Sequence, residues 1–177
     1  MSRIAYSLRV IMARLLVIDS NPEGINREIQ RHFGCPTGEA YAAVLRALQP
    51  DLAIDIVRPY DGEPSPQLSA YDGAVFTGSG VAWDVADTRA QCLRDFMEGA
   101  FLKGMPVFGS CNGMQLAAIV LGGTCRASPS GREDGVARGI QLTDLGRRHP
   151  MMSGRVDTFP ALSVHRDEVG ALPSGAD

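Results

Sequence analysis

A cysteine flanked by glycines is the residue of this chain that points most directly to chemistry. The chain enters a tight turn, residues 109–113 (GSCNG), from an apolar run at 106–108 and leaves it into a second apolar run at 114–121. A strand, a sharp turn and a helix in this order form a nucleophile elbow, with Cys111 as the nucleophile. The start of a helix favours a thiolate over a thiol, because unpaired N–H groups and the positive end of the helix dipole lie there.

The turn also predicts why small residues flank the cysteine. Its backbone is strained, and a Cβ atom at Gly109 or Gly113 is expected to crowd the neighbouring strand or helix. A buried core cysteine in a glycine-rich turn is the alternative interpretation of Cys111, since cysteine is among the most buried residue types. The two interpretations differ in exposure, because a nucleophile has to reach a pocket and a core thiol does not.

A second turn of small residues, 77–80 (TGSG), follows another apolar run. In sheets built from alternating strands and helices, ligands bind at the carboxyl ends of the strands, so both turns are expected at one edge. The second turn offers the backbone N–H of Gly78 or Ser79 to a developing oxyanion, and Asn112 offers another N–H.

The elements that must position these turns alternate along the chain. Predicted strands are 15–19, 52–57, 73–76 and 106–108; predicted helices are 25–33, 39–48, one that begins near Asp84 or Asp87 and ends at Gly104, and 114–121. This alternation predicts an α/β fold with a doubly wound, mostly parallel sheet. A charged residue, Asp55, within the second strand indicates an edge position.

The pattern changes after Gly123. We predict a strand over 124–127, a polar hairpin or loop over 128–139, a return to the sheet over 140–142, a short helix or turn over 145–154, a strand over 159–165 and a loop from 166 onward.

Composition excludes several classes of function. The 177 residues suit one domain, and the net charge is −3. The 17 lysines and arginines form no basic run, which argues against a nucleic-acid partner, and no apolar run is long enough to span a membrane. The four cysteines show neither CxxC nor zinc spacing, which fits a reducing cytoplasm and no metal. No nucleotide-binding motif such as a P-loop is present, and we expect no cofactor.

The first fourteen residues read as an N-terminal extension to a domain of residues 15–177. They contain three arginines and no acidic residue, and Arg9 interrupts their apolar stretch, so they make a poor secretory signal. A start of translation at Met12, just before the first strand, is the simpler hypothesis.

Three segments together resemble the class I, or triad-type, glutamine amidotransferases. Residues 109–115 (GSCNGMQ) match their G-x-C-x-G-x-Q motif, residues 71–79 resemble their strand and oxyanion loop, and residues 164–176 resemble their SHGDxVxxLPxG segment. The order and spacing of all three agree, from about Leu15 to the last residue. The resemblance implies a flavodoxin-like fold.

The resemblance also implies an activity. Cys111 would attack the side-chain amide of glutamine, form a γ-glutamyl thioester and release ammonia to a synthase partner. Gln115, His165, Arg166 and Asp167 would hold the glutamine. A non-catalytic glutamine-binding or regulatory module is the alternative. A cysteine hydrolase of the α/β-hydrolase type is a third interpretation, against which Gln115 and the separate turn at 77–80 argue.

One part of the family pattern is missing. In the family a His-x-Glu pair beyond the SHGD-like segment completes hydrolysis, and this sequence ends at Asp177 before any such pair. We therefore expect an amidotransferase domain that lacks its C-terminal part.

The three histidines present fit that role poorly. His32 is predicted on a solvated helix surface, and His149 is followed by Pro-Met-Met rather than Pro-Glu. His165 matches the substrate-side segment, although Asp167 or Glu168 could orient it as a makeshift base.

Overall fold

The computed structural model describes residues 12–176. The predicted N-terminal extension lies outside the described residues except for its last three, and a start at Met12 is not addressed by them. Arg14, the last residue of that extension, already opens the first strand.

A four-stranded parallel sheet forms the centre of the molecule. Its strands are β1 (Arg14–Ile18), β2 (Ala53–Val57), β3 (Gly73–Phe76) and β4 (Val107–Gly109), in the order β2-β1-β3-β4. All three neighbouring pairs are parallel, as the alternation of strands and helices predicted. The strand that contains Asp55 lies at one edge, and β4, which leads into the cysteine turn, lies at the other.

Four longer helices connect and flank these strands, namely α1 (Glu23–Phe33), α2 (Thr37–Leu48), α3 (Gln91–Leu102) and α4 (Asn112–Val120). A 3-10 turn, Thr88–Ala90, precedes α3, and the Asp87 side chain caps it by accepting the N–H of Arg89. Of the two predicted caps, Asp87 therefore begins this helical segment. No helix among the described residues is long and apolar enough to cross a membrane.

The core lies between the sheet and the helices α3 and α4. Its fully buried side chains come from the strands and from both helices: Leu16, Ile18, Phe76, Leu93, Met97 and Leu116. Burial of a large apolar side chain contributes about 1.5–3 kcal/mol. The strand next to the cysteine turn and the helix after it are therefore anchored in the same core.

The second half of the chain forms two separate antiparallel pairs. Strand β5 (Thr124–Ala127) pairs with β8 (Asp167–Ala171), and β6 (Glu133–Gln141) pairs with β7 (Thr158–His165). A short helix, α5 (Asp144–Arg148), and a 3-10 turn connect β6 to β7. A single residue, Arg166, separates β7 from β8.

Three predictions for this half are wrong. Ile140 pairs with Phe159 in the β6–β7 ladder, so residues 140–142 do not return to the central sheet. Residues 133–139 belong to β6 rather than to a hairpin or loop of their own. Most of these residues are exposed, so the apolar alternation that indicates a strand is absent from this part of the sequence. Residues 167–171 form β8 instead of a loop, and their two acidic residues hide that strand in the sequence.

Candidate active site

The Cys111 backbone has a conformation that non-glycine residues rarely adopt. It lies between β4 and α4 with φ 49° and ψ −105°, and among residues 12–176 it is the one non-glycine residue with positive φ. A Cβ atom on Gly109 would lie 2.5 Å from the carbonyl carbon of Gly113, and one on Gly113 would lie 2.7 Å from the carbonyl oxygen of Phe76. Both flanking positions therefore require glycine, as predicted, and the turn is strained.

The thiol of Cys111 is accessible. The residue is exposed, and its Sγ lies 3.9 Å from the carbonyl oxygen of Val164 across the cavity described below. The interpretation of Cys111 as a core cysteine is wrong. By contrast, burial raises the pKa of the thiols of Cys92 and Cys125, which are half-buried.

The two small-residue turns meet. A Cβ atom on Gly78 would lie 3.6 Å from the Cβ of Cys111, and the backbone N–H of Ser110 donates to the carbonyl oxygen of Phe76 at 3.0 Å. The carboxyl ends of β3 and β4 therefore place the turn at 77–80 directly beside the cysteine, as the parallel sheet predicted.

Tyr41 on α2 bridges the two turns. Its hydroxyl donates to the Ser110 hydroxyl at 2.7 Å and accepts the backbone N–H of Gly78 at 3.4 Å. The N–H groups of Ser79 and Asn112 donate to no other group of residues 12–176. Of the predicted N–H donors, Gly78 is thus engaged within the protein. Sequence reasoning missed Tyr41, because its position in the helix indicates only a residue of the apolar face.

Gln115 connects α4 to the opposite rim. Its side chain is buried, and its Nε2 donates to the carbonyl oxygen of Asp167 at 2.6 Å. Asp167 in turn pairs with the guanidinium of Arg166 at 2.7 Å, and Arg166 donates to the carbonyl oxygen of Ala82 at 2.6 Å. The side chain of Gln115 therefore positions the segment at Arg166 and Asp167 through direct contact.

His165 has a carboxylate partner that the sequence did not indicate. Its Nε2 lies 3.2 Å from Glu133 Oε2, and the two residues face each other across the β6–β7 ladder. Neither Asp167 nor Glu168 has this role, because Asp167 pairs with Arg166 and Glu168 pairs with Arg126. His165 Nδ1 is buried and has no partner among the described residues.

The other two histidines lie elsewhere. His32 is exposed on α1, as predicted, and His149 is exposed in the segment after α5, where its Nδ1 accepts the N–H of Met151. Neither lines the cavity at Cys111.

A cavity of about 430 Å³ opens at the cysteine. It is lined by most of the predicted site residues: Ser79, Cys111, Asn112, Gln115, His165, Arg166 and Asp167. Arg132 also lines this cavity; its guanidinium pairs with Asp134, and that of Arg166 pairs with Asp167. Among the described residues, no group of three or more His, Cys, Asp or Glu could hold a metal ion.

Comparison with known proteins identifies the family of this chain. Residues 40–177 match the family model "Glutamine amidotransferase class-I". A γ-glutamyl-L-1-hydroxyisopropylamide hydrolase from Pseudomonas sp. is 34% identical over 170 residues, which cover 92% of this chain and 57% of the relative. One subunit of a glutamine-hydrolysing GMP synthase, from Methanoregula boonei, is 29% identical over 78% of this chain and 67% of the relative.

A solved structure shows the same fold. The crystal structure of a glutamine amidotransferase from Thermotoga maritima superposes with a TM-score of 0.65 at 20% identity, over 92% of this chain and 64% of that chain. This chain therefore spans less than two thirds of that structure and of the Pseudomonas relative. The mostly parallel sheet with flanking helices is the flavodoxin-like fold of these proteins. The chain belongs to the class I glutamine amidotransferase family.

Proposed function

We propose that residues 15–177 form a glutaminase domain in which Cys111 cleaves the side-chain amide of glutamine. The observation that carries this proposal is the exposed thiol of Cys111 on a strained turn. The turn at 77–80 lies beside it, so close that a Cβ added to Gly78 would be 3.6 Å from the Cβ of Cys111. Nucleophilic cysteines need such a microenvironment, at a helix N-terminus and next to a cavity.

The proposed reaction has two halves. The Cys111 thiolate attacks the amide carbon, and the carbonyl oxygen takes up negative charge between the N–H groups of Ser79 and Asn112, to which Gly78 adds its own if Tyr41 releases it. The C–N bond then breaks while the nitrogen takes a proton from solvent and leaves as ammonia, and a γ-glutamyl thioester remains. Water hydrolyses the thioester to glutamate and restores the thiolate.

Glutamine binding is assigned to the rim opposite the cysteine. Arg166 and Asp167 pair with each other, and on binding the guanidinium would turn to the α-carboxylate and the carboxylate to the α-ammonium group. Gln115 supports both by its contact with the Asp167 carbonyl oxygen, and His165 closes the same wall of the cavity.

Trapping the thioester tests the proposal. Incubation with glutamine followed by acid quench should give a protein heavier by one glutamyl group, with the added mass on the peptide that contains Cys111. The variant Cys111→Ala should release no ammonia and should gain no mass. The variant Cys125→Ala is the matched control, because that thiol is half-buried and donates to the Gln115 carbonyl oxygen instead of facing the cavity. Binding of glutamine without a trapped glutamyl group would instead support a non-catalytic binding or regulatory module.

A second substrate class is favoured by one observation. The Pseudomonas hydrolase named above matches 92% of this chain, which is more than the 78% that the Methanoregula GMP synthase relative matches. A hydrolase of γ-glutamyl amides would use the same thioester step with a substituted amine as the leaving group. Parallel kcat/KM measurements with glutamine and with γ-glutamyl-L-1-hydroxyisopropylamide decide between the two.

If the substrate is glutamine, we propose that a synthase partner receives the ammonia. The GMP synthase relatives support it, since their names couple glutamine hydrolysis to synthesis. Affinity capture from the native organism, with the ammonia-forming rate measured with and without the captured protein, tests the partner.

The four free thiols support a location in the reducing cytoplasm.

A further inference from the structure

A buried polar network joins the end of β1 to the turn at 77–80. Its central residue, Asn21, is 1% exposed. The side-chain oxygen of Asn21 accepts the backbone N–H of Gly80 at 2.8 Å and the hydroxyl of Ser79 at 3.1 Å, and its amide nitrogen lies 3.4 Å from the carbonyl oxygen of Gly78. One side chain therefore contacts three successive residues of the turn.

A buried carboxylate holds Asn21 in turn. Asp19 is fully buried, and its Oδ1 accepts the backbone N–H of Asn21 at 3.1 Å. Its Oδ2 accepts the side-chain amide of Asn26 and the backbone N–H of Gly38, both at 2.9 Å, and the Nε of Arg58 lies 4.0 Å away. Groups on α1, on α2 and after β2 thus fix the base of the network.

The backbone after β1 adds two contacts to the same turn. The Ser79 hydroxyl donates to the carbonyl oxygen of Ser20 at 2.6 Å, and the N–H of Ser20 donates to the Thr77 hydroxyl at 2.9 Å. Ser20 therefore holds the hydroxyls of Thr77 and Ser79, and Asn21 holds the peptide groups on both sides of Ser79. The Ser79 N–H itself has no acceptor among residues 12–176.

We propose that Asn21 is a positioning residue for the oxyanion site, because its side chain holds residues 78–80 so that the Ser79 N–H stays directed beside Cys111. This inference rests on the proposed function, since it explains how one N–H donor of that site is placed. A single oxyanion donor is worth on the order of 10²–10³ in turnover, and only in the correct position. Loss of the Asn21 contacts is expected to cost part of that factor.

An aldehyde probe isolates this effect from the rest of the reaction. The probe is 5-oxopentanoate, in which –CHO replaces the carboxamide and the α-amino group is left out because it would condense with the aldehyde to a cyclic imine. The Cys111 thiolate adds to the aldehyde carbon, a C–S bond forms, and the π electrons of C=O move to the oxygen, which the N–H donors then stabilise. No bond to nitrogen breaks, so the aldehyde affinity reports the oxyanion site without the later steps.

Competition with iodoacetamide measures that affinity. Iodoacetamide alkylates the thiolate by displacing iodide, a step in which no oxyanion forms. The rate of labelling on the Cys111 peptide, followed by mass spectrometry at rising aldehyde concentration, gives the dissociation constant. The rate without aldehyde reports the thiol itself, and protection by glutamate reports binding of the glutamyl group alone.

Two buried asparagines provide a matched pair of variants. Asn21→Ala removes the contacts to the turn, whereas Asn26→Ala removes a side chain that donates to the same Asp19 carboxylate but bonds to no residue of the turn among those described. We expect Asn21→Ala to weaken aldehyde binding about tenfold or more. Its labelling rate without aldehyde and its protection by glutamate should match those of the wild type, and Asn26→Ala should match in all three. Asn21→Ser repeats the test with a smaller polar residue if Asn21→Ala does not fold.

The outcomes separate this inference from the proposed function. Equal aldehyde affinity in the wild type and Asn21→Ala overturns the inference and leaves the proposed function standing. Equal weakening in Asn21→Ala and Asn26→Ala also overturns it, because general loss of packing then explains both. A wild type that binds the aldehyde no more tightly than glutarate, which has the same chain with a carboxylate in place of –CHO, refutes the oxyanion site, and the proposed function fails with it.

Discussion

Gly78 and Cys111 face each other across the two turns, so closely that a Cβ on Gly78 would lie 3.6 Å from the Cβ of Cys111. This distance is an ordinary van der Waals contact, and the backbone of Gly78 is not in the left-handed region. The variant Gly78→Ala should therefore fold like the wild type. Its methyl group would occupy the space through which an amide approaches the thiol, so we expect kcat/KM to fall about tenfold to hundredfold.

Steady-state ammonia release and a thermal melt check this prediction together. A variant with normal activity would show that substrate approaches from another direction, and a large loss of melting temperature would show that the turn does not tolerate the methyl group.

Gly113 should behave in the opposite way. A Cβ there would lie 2.7 Å from both the Cβ and the carbonyl oxygen of Phe76, in the buried core. Neither atom is able to move without shifting β3, so Gly113→Ala should lower the free energy of unfolding by about 3 kcal/mol. Gly24→Ala on α1 is the matched control, because nothing lies within 4 Å of the added Cβ and the change should stabilise the helix by about 0.5 kcal/mol. Urea unfolding of both variants measures the difference, and equal stabilities would contradict the close packing.

The strain at Cys111 should be measurable as stability. A non-glycine residue in such a conformation costs on the order of 1–3 kcal/mol, whereas glycine adds at most about 1 kcal/mol through the entropy of the unfolded chain. Both Cys111→Gly and Cys111→Ala remove the thiol, and we expect Cys111→Gly to be more stable by about 1 kcal/mol. The comparison uses denaturant midpoints of the two inactive variants. If Cys111→Ala were the more stable one, the turn would not be strained.

Asp55 should make stability depend on pH at the edge of the sheet. Hydrogen bonds from Tyr71 at 2.9 Å and from Arg14 at 3.0 Å lower the pKa of its carboxyl group below the ordinary value. Since the folded-state pKa is the lower one, this stabilisation is present above the unfolded pKa and is lost as the pH falls through the folded pKa. The difference in melting temperature between the wild type and Asp55→Asn should thus be largest above about pH 4 and shrink below it.

Melting curves of the wild type and Asp55→Asn from pH 7 to pH 2 provide the measurement. Asp51→Asn, in the exposed turn before β2, is the control, and its difference from the wild type should stay small throughout. A difference for Asp55→Asn that stays constant over the whole range would mean that the carboxyl group gains nothing from its two donors.

The central sheet is predictable because its strands are short, mainly apolar runs that alternate with helical segments. The same periodicity does not distinguish a strand of the main sheet from one of a peripheral pair, which is why the sequence places Ile140 in the wrong sheet. Strand β8 escapes prediction because Asp167 and Glu168 read as loop residues, although each is neutralised by an arginine.

In the candidate site, too, local features are predictable from the sequence and long-range contacts are not. The need for glycine on both sides of Cys111 follows from local backbone geometry, so the sequence alone predicts it. Contacts between distant polar residues have no local signal: the Tyr41 hydroxyl meets Ser110 from 69 positions away, and Glu133 reaches His165 from the opposite strand. Such pairs become visible only once the fold brings the elements together.

The single residue between β7 and β8 has a consequence for how this family member changes over time. Arg166 is a corner whose two sides belong to separate ladders outside the central sheet, whereas β4 and α4, which flank Cys111, pack into the main core. We expect substitutions in either ladder to shift this corner more readily than the cysteine turn. Under the proposed function, the preference for one amide over another could then change under selection without a change at the cysteine turn.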